Sequence, residues 1–188
     1  DEVIRANRKA IELYLLQGKR NKISYALRDI ARMYDIKKEK DSALYYYKEA
    51  CHTALMDGDS SRYYGIWGEL GGFYYKVGDI DKAKQILKQT EFSKYIRNKS
   101  HIHSILGNLY HHTQEWDSAY YYNLKVLEVG DINKVYSSYT ILAKLESKKR
   151  DYQKANFYLQ KAIETSDSLQ RITQTEAIAK IDALYNYQ

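Results

Sequence analysis

The stretch Trp67-Gly68-Glu69-Leu70-Gly71-Gly72-Phe73-Tyr74-Tyr75-Lys76-Val77-Gly78-Asp79-Ile80-Asp81-Lys82-Ala83 decides the fold. It sets Trp67, Leu70, Gly71 and Tyr74 at the spacing W-x2-L-G-x2-Y, follows them with a Gly-Asp turn, and then places a small residue, Ala83. Leu106, Gly107, Tyr110 and Ala119 repeat the pattern 36 residues later, with His103 where the tryptophan would stand. Ile30, Ala31, Tyr34, Ala43 and Ala50 form an earlier copy, and Leu142, Ala143, Ala155 and Ala162 a later one with Glu146 in place of the tyrosine. The anchors Ala43, Ala83, Ala119 and Ala155 are separated by 40, 36 and 36 residues. A fixed period of this size marks a supersecondary unit that cannot bury its apolar face alone and must stack on its neighbours.

This pattern resembles the tetratricopeptide repeat (TPR) over roughly residues 23 to 165. The resemblance implies an all-α fold, a right-handed α-solenoid of stacked helix-turn-helix hairpins. A single array is expected over 1–188. Residues 2–18 form the second helix of an incomplete repeat, 23–57, 63–94, 99–130 and 135–166 are the repeats, and 168–187 is a capping or continuing helix. The residues support this reading independently. Leu70 with Tyr74, and Leu106 with Tyr110, recur at i and i+4 on one helix face, and Ala31, Gly71, Gly107 and Ala143 leave room for the second helix to approach. Asp41, Asp81 and Asp117 open the second helices, where a carboxylate meets the favourable end of the helix dipole and caps exposed N–H groups.

Composition agrees. Among 188 residues there are 21 tyrosines and no proline. Absence of the residue that breaks helices disfavours collagen-like, linker and many-turned β readings. It also departs from the repeat family, whose second helix often ends at proline, and passes the helix stops to Asp57, Gly58 and Asp59 or Gly130, Asp131 and Asn133. The single cysteine, Cys51, excludes an intramolecular disulfide and reads as a small buried filler. The net charge of +6 is diffuse: residues 61–100 carry 8 basic and 4 acidic side chains, with no block expected of a nucleic-acid tail. No stretch is long and apolar enough to span a bilayer. The opening at Asp1 without methionine points to a processed protein or excised piece, with room outside it for an export signal or a membrane anchor.

Chemistry is sparse. The glycines of residues 65–72 fit neither G-x-G-x-x-G after a strand nor G-x4-G-K-[ST]. His101 and His103, or His111 and His112, do not face one way on a helix, and His101 and His112 lie about 16 Å apart along one. No H-E-x-x-H or cysteine cluster is present, so no catalytic residue, metal ligand or cofactor is assigned and the chain is not expected to be an enzyme.

The resemblance instead implies a concave groove lined by the first helices, which takes a protein or an extended peptide. It would be built from Tyr25, Arg28, Arg32 and Asp35; Gly65, Gly68, Gly72, Tyr75 and Lys76; His101, Ser104, Asn108 and His112; and Ser137, Thr140, Lys144 and Lys148. Groove asparagines of this family hold ligand backbone, which marks Asn108. The family's clamp for C-terminal carboxylates is not reproduced, because Arg32 and Glu69 stand where asparagines are wanted. Gly65, Gly68 and Gly72 share a helix face, and each costs about 0.8 to 1 kcal/mol against alanine. Two readings stand: a recess in the groove floor flanked by Arg28, Arg32, His101 and Asn108, or close packing against a neighbouring helix. The triplets Tyr45 to Tyr47 and Tyr120 to Tyr122 each sweep about 200° of helix, so not every ring is core.

The chain therefore reads as a non-catalytic interaction module. Its Asp-Ser-Ala helix starts at 41–43 and 117–119 and its run at 181–188 resemble the tyrosine-rich sensory regions of bacterial membrane-anchored regulators, which implies a periplasmic or membrane-associated setting. An RNA-binding helical-repeat protein and a structural dimerisation arm are the alternatives. Partner identity and oligomeric state are not read from the residues.

Overall fold

Each repeat opens on a helix that is stopped by the same backbone device. In the computed structural model, which describes residues 2–96 and 99–185, the N–H groups of Glu39, Asp79, Glu115 and Asp151 donate to the carbonyls of Tyr34, Tyr74, Tyr110 and Glu146 at 2.9–3.0 Å. This six-to-one bond closes a Schellman turn. The acceptors are the motif tyrosine of three repeats and Glu146 in the fourth, so Glu146 stands in register. Of these four turns, one has glycine as its left-handed residue, Gly78 with φ +90°, and Lys38, Gln114 and Arg150 take that place in the other three, at φ 63–64°. A side chain there costs roughly 1–2 kcal/mol, and the turn's hydrogen bonds offset it. Gly130, expected to end a helix as a flexible turn residue, does so in extended backbone, φ −73° and ψ 150°.

The helices, in chain order, are α1 (Glu2–Leu16), α2 (Ile23–Ile36), α3 (Lys40–Met56), α4 (Ser60–Val77), α5 (Ile80–Phe92), α6 (Ser100–His112), α7 (Trp116–Val129), α8 (Ile132–Lys148) and α9 (Tyr152–Tyr185), with a 3-10 turn at Arg20–Lys22. No strand occurs among the described residues. The chain forms two compact units, 1–102 and 103–188, dividing within α6. In the first, α1 packs on α2, α2 on α3, α3 on α4 and α4 on α5. In the second, α7 packs on α8 and α8 on α9.

Small residues set the helix approach as expected. Ala31, Ala43, Ala83 and Ala119 are wholly buried. A Cβ built on Gly71 would lie 2.9 Å from Ile86 Cγ2 and Leu87 Cγ, and one on Gly107 would lie 2.7 Å from Asn123 Nδ2. The tyrosine triplets resolve by register. Tyr46 and Tyr122 each follow their anchor alanine by three residues and stack on the motif tyrosines Tyr34 and Tyr110, with centroids 5.4 Å apart in both pairs. Tyr47 is buried, whereas Tyr45 and Tyr121 are exposed. The triplets are thus offset by one residue, and Asn123 occupies the place that Tyr47 fills in the first repeat.

Two expectations change. The N-caps that accept a backbone N–H are Asp59, Asp79, Asp131 and Asp151, from Arg62, Lys82, Lys134 and Lys154 respectively. Asp41, Asp81 and Asp117 lie inside the first turn, where they face the dipole but do not cap. The helix expected at 168–187 is also not separate from the repeat ending at 166: α9 runs unbroken over 34 residues. No glycine or proline interrupts it, and Thr165, Ser168, Thr173 and Thr175 turn their hydroxyls back onto carbonyls four residues earlier, leaving the helical ladder intact. Positions 186 and 187 of that expected helix, and the end of the 181–188 run, lie outside the described residues.

Candidate functional site

In the first unit, Tyr25 and Arg28 project from α2 while Arg62, Gly65, Ile66 and Glu69 project from α4. The α4 set is spaced i, i+3, i+4, i+7, which brings it onto one helix face. With Asp59 and Ser61 these residues line a cleft of about 220 Å³. Tyr25 contacts two guanidinium groups: the Cζ atoms of Arg28 and Arg62 lie 5.1 and 4.9 Å from its ring centroid. This is the range in which a cation is attracted to an aromatic face.

Arg62 is the best-anchored side chain of the cleft. It is about 9% exposed, pairs with Asp59 at 2.8 Å and Asp57 at 3.2 Å, and reaches Ser24 Oγ at 3.4 Å. Its Nε is buried without a hydrogen-bond partner. Asp59 has two roles, capping α4 through the Arg62 N–H at 2.8 Å and holding the same residue's guanidinium. On the opposite wall, Arg28 pairs with Asp29 at 2.8 Å and Glu69 at 3.9 Å, and Arg32 reaches Glu69 at 4.0 Å. Burial pushes the Glu69 carboxyl above its usual range, while Arg28 and Arg32 pull the other way. Lys76 pairs with Asp35 at 2.6 Å, beside a separate cleft lined in part by Ile36, Phe73 and Val77. The cations of this face are thus matched one by one with carboxylates.

Of the residues expected in the groove, Tyr25, Arg28 and Gly65 meet in the cleft, and Arg32 stands beside its Glu69 wall. Tyr75 is half-buried, and burial raises the pKa of its hydroxyl. His101 is exposed on α6. The recess reading fails at Gly68: a Cβ there would stand 2.5 Å from Ile102 Cδ1 and 3.2 Å from Thr90 Cγ2. The place is filled, and close packing accounts for that glycine. Gly72 is buried as well, whereas Gly65 is exposed with nothing within 4 Å of its Cβ position. Arg62 and Asp59 were not anticipated. Their signal was the i, i+3 step from Arg62 to Gly65, obscured because Arg62 also lies in the first turn after a helix cap.

In the second unit, Asn108 is half-buried and donates its Nδ2 to Ser104 O at 2.9 Å. Part of the amide expected to hold ligand backbone is therefore engaged on its own helix. His112 and Lys144 are exposed. Among the described residues no group of histidine, cysteine and carboxylate side chains is arranged to hold a metal ion, and no helix is long and apolar enough to cross a membrane. Cys51 is buried, and burial pushes its thiol up to about 12.

No family model matches the chain, and no curated protein matches it. Solved structures do. BtubC (BKLC) from P. vanneervenii is similar over 89% of this chain and 74% of its own, at 15% identity and a TM-score of 0.71. PilF of Pseudomonas aeruginosa is similar over 88% and 77%, at 21% identity and a TM-score of 0.63. A putative kinesin light chain of Podosopora anserina, with nearly identical TPR-like repeats, is similar over 89% and 96%, at 13% identity and 0.59. Together with the repeat motif and the hairpin turns, these likenesses establish the fold as an all-α, TPR-like helical-repeat solenoid.

Proposed function

We propose that the chain is a non-catalytic protein-interaction module that takes an extended peptide segment on its inner helices, with the α2/α4 cleft as a principal contact. The observation that supports this is the mutual compensation of charge there. Arg28, Arg32, Arg62 and Lys76 all lie within 4.0 Å of a carboxylate. A polyanion would have to displace those carboxylates. A peptide main chain, which donates and accepts in alternation, finds both partners in place. Tyr25 adds an aromatic surface to fix orientation. This argues for a peptide over RNA, which is bound through unpaired cations and stacking. The tyrosine content and Asp-Ser-Ala helix starts support reading the module as the sensory or scaffold part of a larger bacterial regulatory protein.

The test is a cellulose-bound array of random decapeptides probed with the protein and with Tyr25→Ala and Arg28→Ala variants of unchanged circular dichroism. The expected result is a shared peptide subset retained by the parent and weakened about tenfold by either variant. Retention of the same subset by both variants would refute the site. Gel-shift binding of single-stranded RNA that collapses between low and physiological salt would refute the ligand class.

A further inference from the structure

The second unit carries a larger cleft, which shares only Lys148 with the residues expected in the groove. It opens at the hairpin-turn edge, where the start of α7 faces the end of α8, and its volume is about 790 Å³. Cavities of roughly 300–1,000 Å³ are the size that encloses a ligand group. Leu145, about 1% exposed, contributes to its lining together with Trp116, and Lys148 and Lys149 line the α8 side.

Both lysines of the cleft lie close to an aromatic ring. Lys82, Lys125, Lys134, Lys154 and Lys161 each pair with a carboxylate three residues away. Lys82 and Lys125 also stand over rings, at 5.4 and 5.9 Å, but Lys148 lies nearer, with Nζ 4.1 Å from the Trp116 ring centroid, as does Lys149, with Nζ 4.3 Å from that of Tyr120. An aromatic face positions an ammonium group without cancelling its charge. Lys149 also has Glu146 at 3.9 Å, whereas no carboxylate lies within ion-pair distance of Lys148 among the described residues. The cation nearest the tryptophan is therefore held in place without a direct ion pair. His111 stands edge-on to Trp116 at 5.8 Å, and its pKa is lowered first by burial and then by Lys144, Lys148 and His112. Two carboxylates, Glu115 and Asp117, line the α7 side. They oppose a continuous run of phosphates but leave room for a single carboxylate on the α8 side.

We propose that this turn-edge cleft is a second docking surface, for a short peptide that seats an aromatic or aliphatic side chain against Trp116 and sets a neighbouring aspartate or glutamate on Lys148. Tryptophan beside a buried aliphatic floor is the kind of surface on which binding energy concentrates, and the lysine selects the adjoining charge. The site is separate from the α2/α4 cleft, so either can fail without the other.

The probe is the capped peptide Gly-Ser-Glu-Phe-Ser-Gly, set against its Gln isostere Gly-Ser-Gln-Phe-Ser-Gly. Both are titrated into the full chain carrying Trp67→Phe, so that Trp116 emission reports binding. The acidic peptide is expected to change that emission saturably and to bind about tenfold tighter than the isostere at low salt. Lys148→Ala should remove most of that preference, Lys148→Arg should keep it, and Tyr25→Ala should leave it unchanged. Lys148 is exposed, so the alanine variant is expected to fold, and circular dichroism checks this. Equal binding of the two peptides, no saturation by about 1 mM, or indifference to Lys148→Ala would overturn the proposal. So would Lys148-dependent binding of oligouridylate or phosphatidylglycerol vesicles tighter than that of the acidic peptide, because the cleft would then be a phosphate surface.

Discussion

Replacing Gly107 with alanine tests whether repeat packing here is set by a single hydrogen atom. Gly107 lies on α6 opposite α7, and the added Cβ would sit 2.7 Å from Asn123 Nδ2 and 3.1 Å from Asn123 Cγ. Asn123 cannot swing freely: it is about 1% exposed, and Nδ2 donates to Ala119 O at 2.7 Å. Alanine gains about 0.8 to 1 kcal/mol in helix propensity. Against that, overpacking a filled core costs about 1 to 3 kcal/mol, and displacing a buried amide from its acceptor about 1 to 3 more. The expected net loss is about 3 kcal/mol. Urea unfolding followed by Trp116 emission in a Trp67→Phe background reads the unit that contains the contact. Asn123→Ala alone should also destabilise, by removing a buried hydrogen bond and leaving a void. In the Gly107→Ala background, however, it removes the clash, so the double variant should be more stable than Gly107→Ala alone, with a coupling of at least about 1 kcal/mol. A neutral or stabilising Gly107→Ala, or strict additivity of the two changes, would refute the reasoning.

Other outcomes follow from the same geometry. Gly65→Ala should stabilise by about 0.8 to 1 kcal/mol, because its Cβ meets nothing within 4 Å; a lower thermal midpoint would count against an open helix face there. Cys51, with a thiol pushed up to about 12 by burial first and Glu69 second, should react with Ellman's reagent at neutral pH only as fast as the first unit opens, and immediate native-state labelling would contradict its packing. Asp79, Asp131 and Asp151 are held below the usual aspartate range, the first two mainly by the side chains of Lys82 and Lys134 and the third by the Lys154 backbone N–H. Since their folded pKa values are depressed, the stability they contribute is complete above the ordinary value near 3.8 and is lost as pH falls through the lower folded values. Replacing all three with asparagine should therefore flatten the acid limb of a stability–pH curve between about pH 4 and 2, and an unchanged limb would show that they do not act through charge.

The repeat was legible in the residues because it is written locally. Trp67, Leu70, Gly71 and Tyr74 lie within two helical turns, and the anchor alanines recur at a nearly constant step. Helix periodicity therefore sets both the hairpins and the face each one buries. Even Glu146, which breaks the motif, stands in register, because the turn after it is made by backbone hydrogen bonds rather than by the side chain. The left-handed turns at Lys38, Gln114 and Arg150 were not legible, since no glycine marks them and their hydrogen bonds compensate for the strain. Nor was the continuity of α9, where serine and threonine resemble a helix stop but bond back into the helix. For the site, the phase of the repeat was enough to put Tyr25, Arg28 and Gly65 on one face. Only tertiary structure decided that Ile102 fills the space over Gly68 while Gly65 stays open, and that Arg62 reaches back 38 residues to Ser24. Periodicity tells which way a side chain points, but whether another element covers it depends on residues remote in the chain.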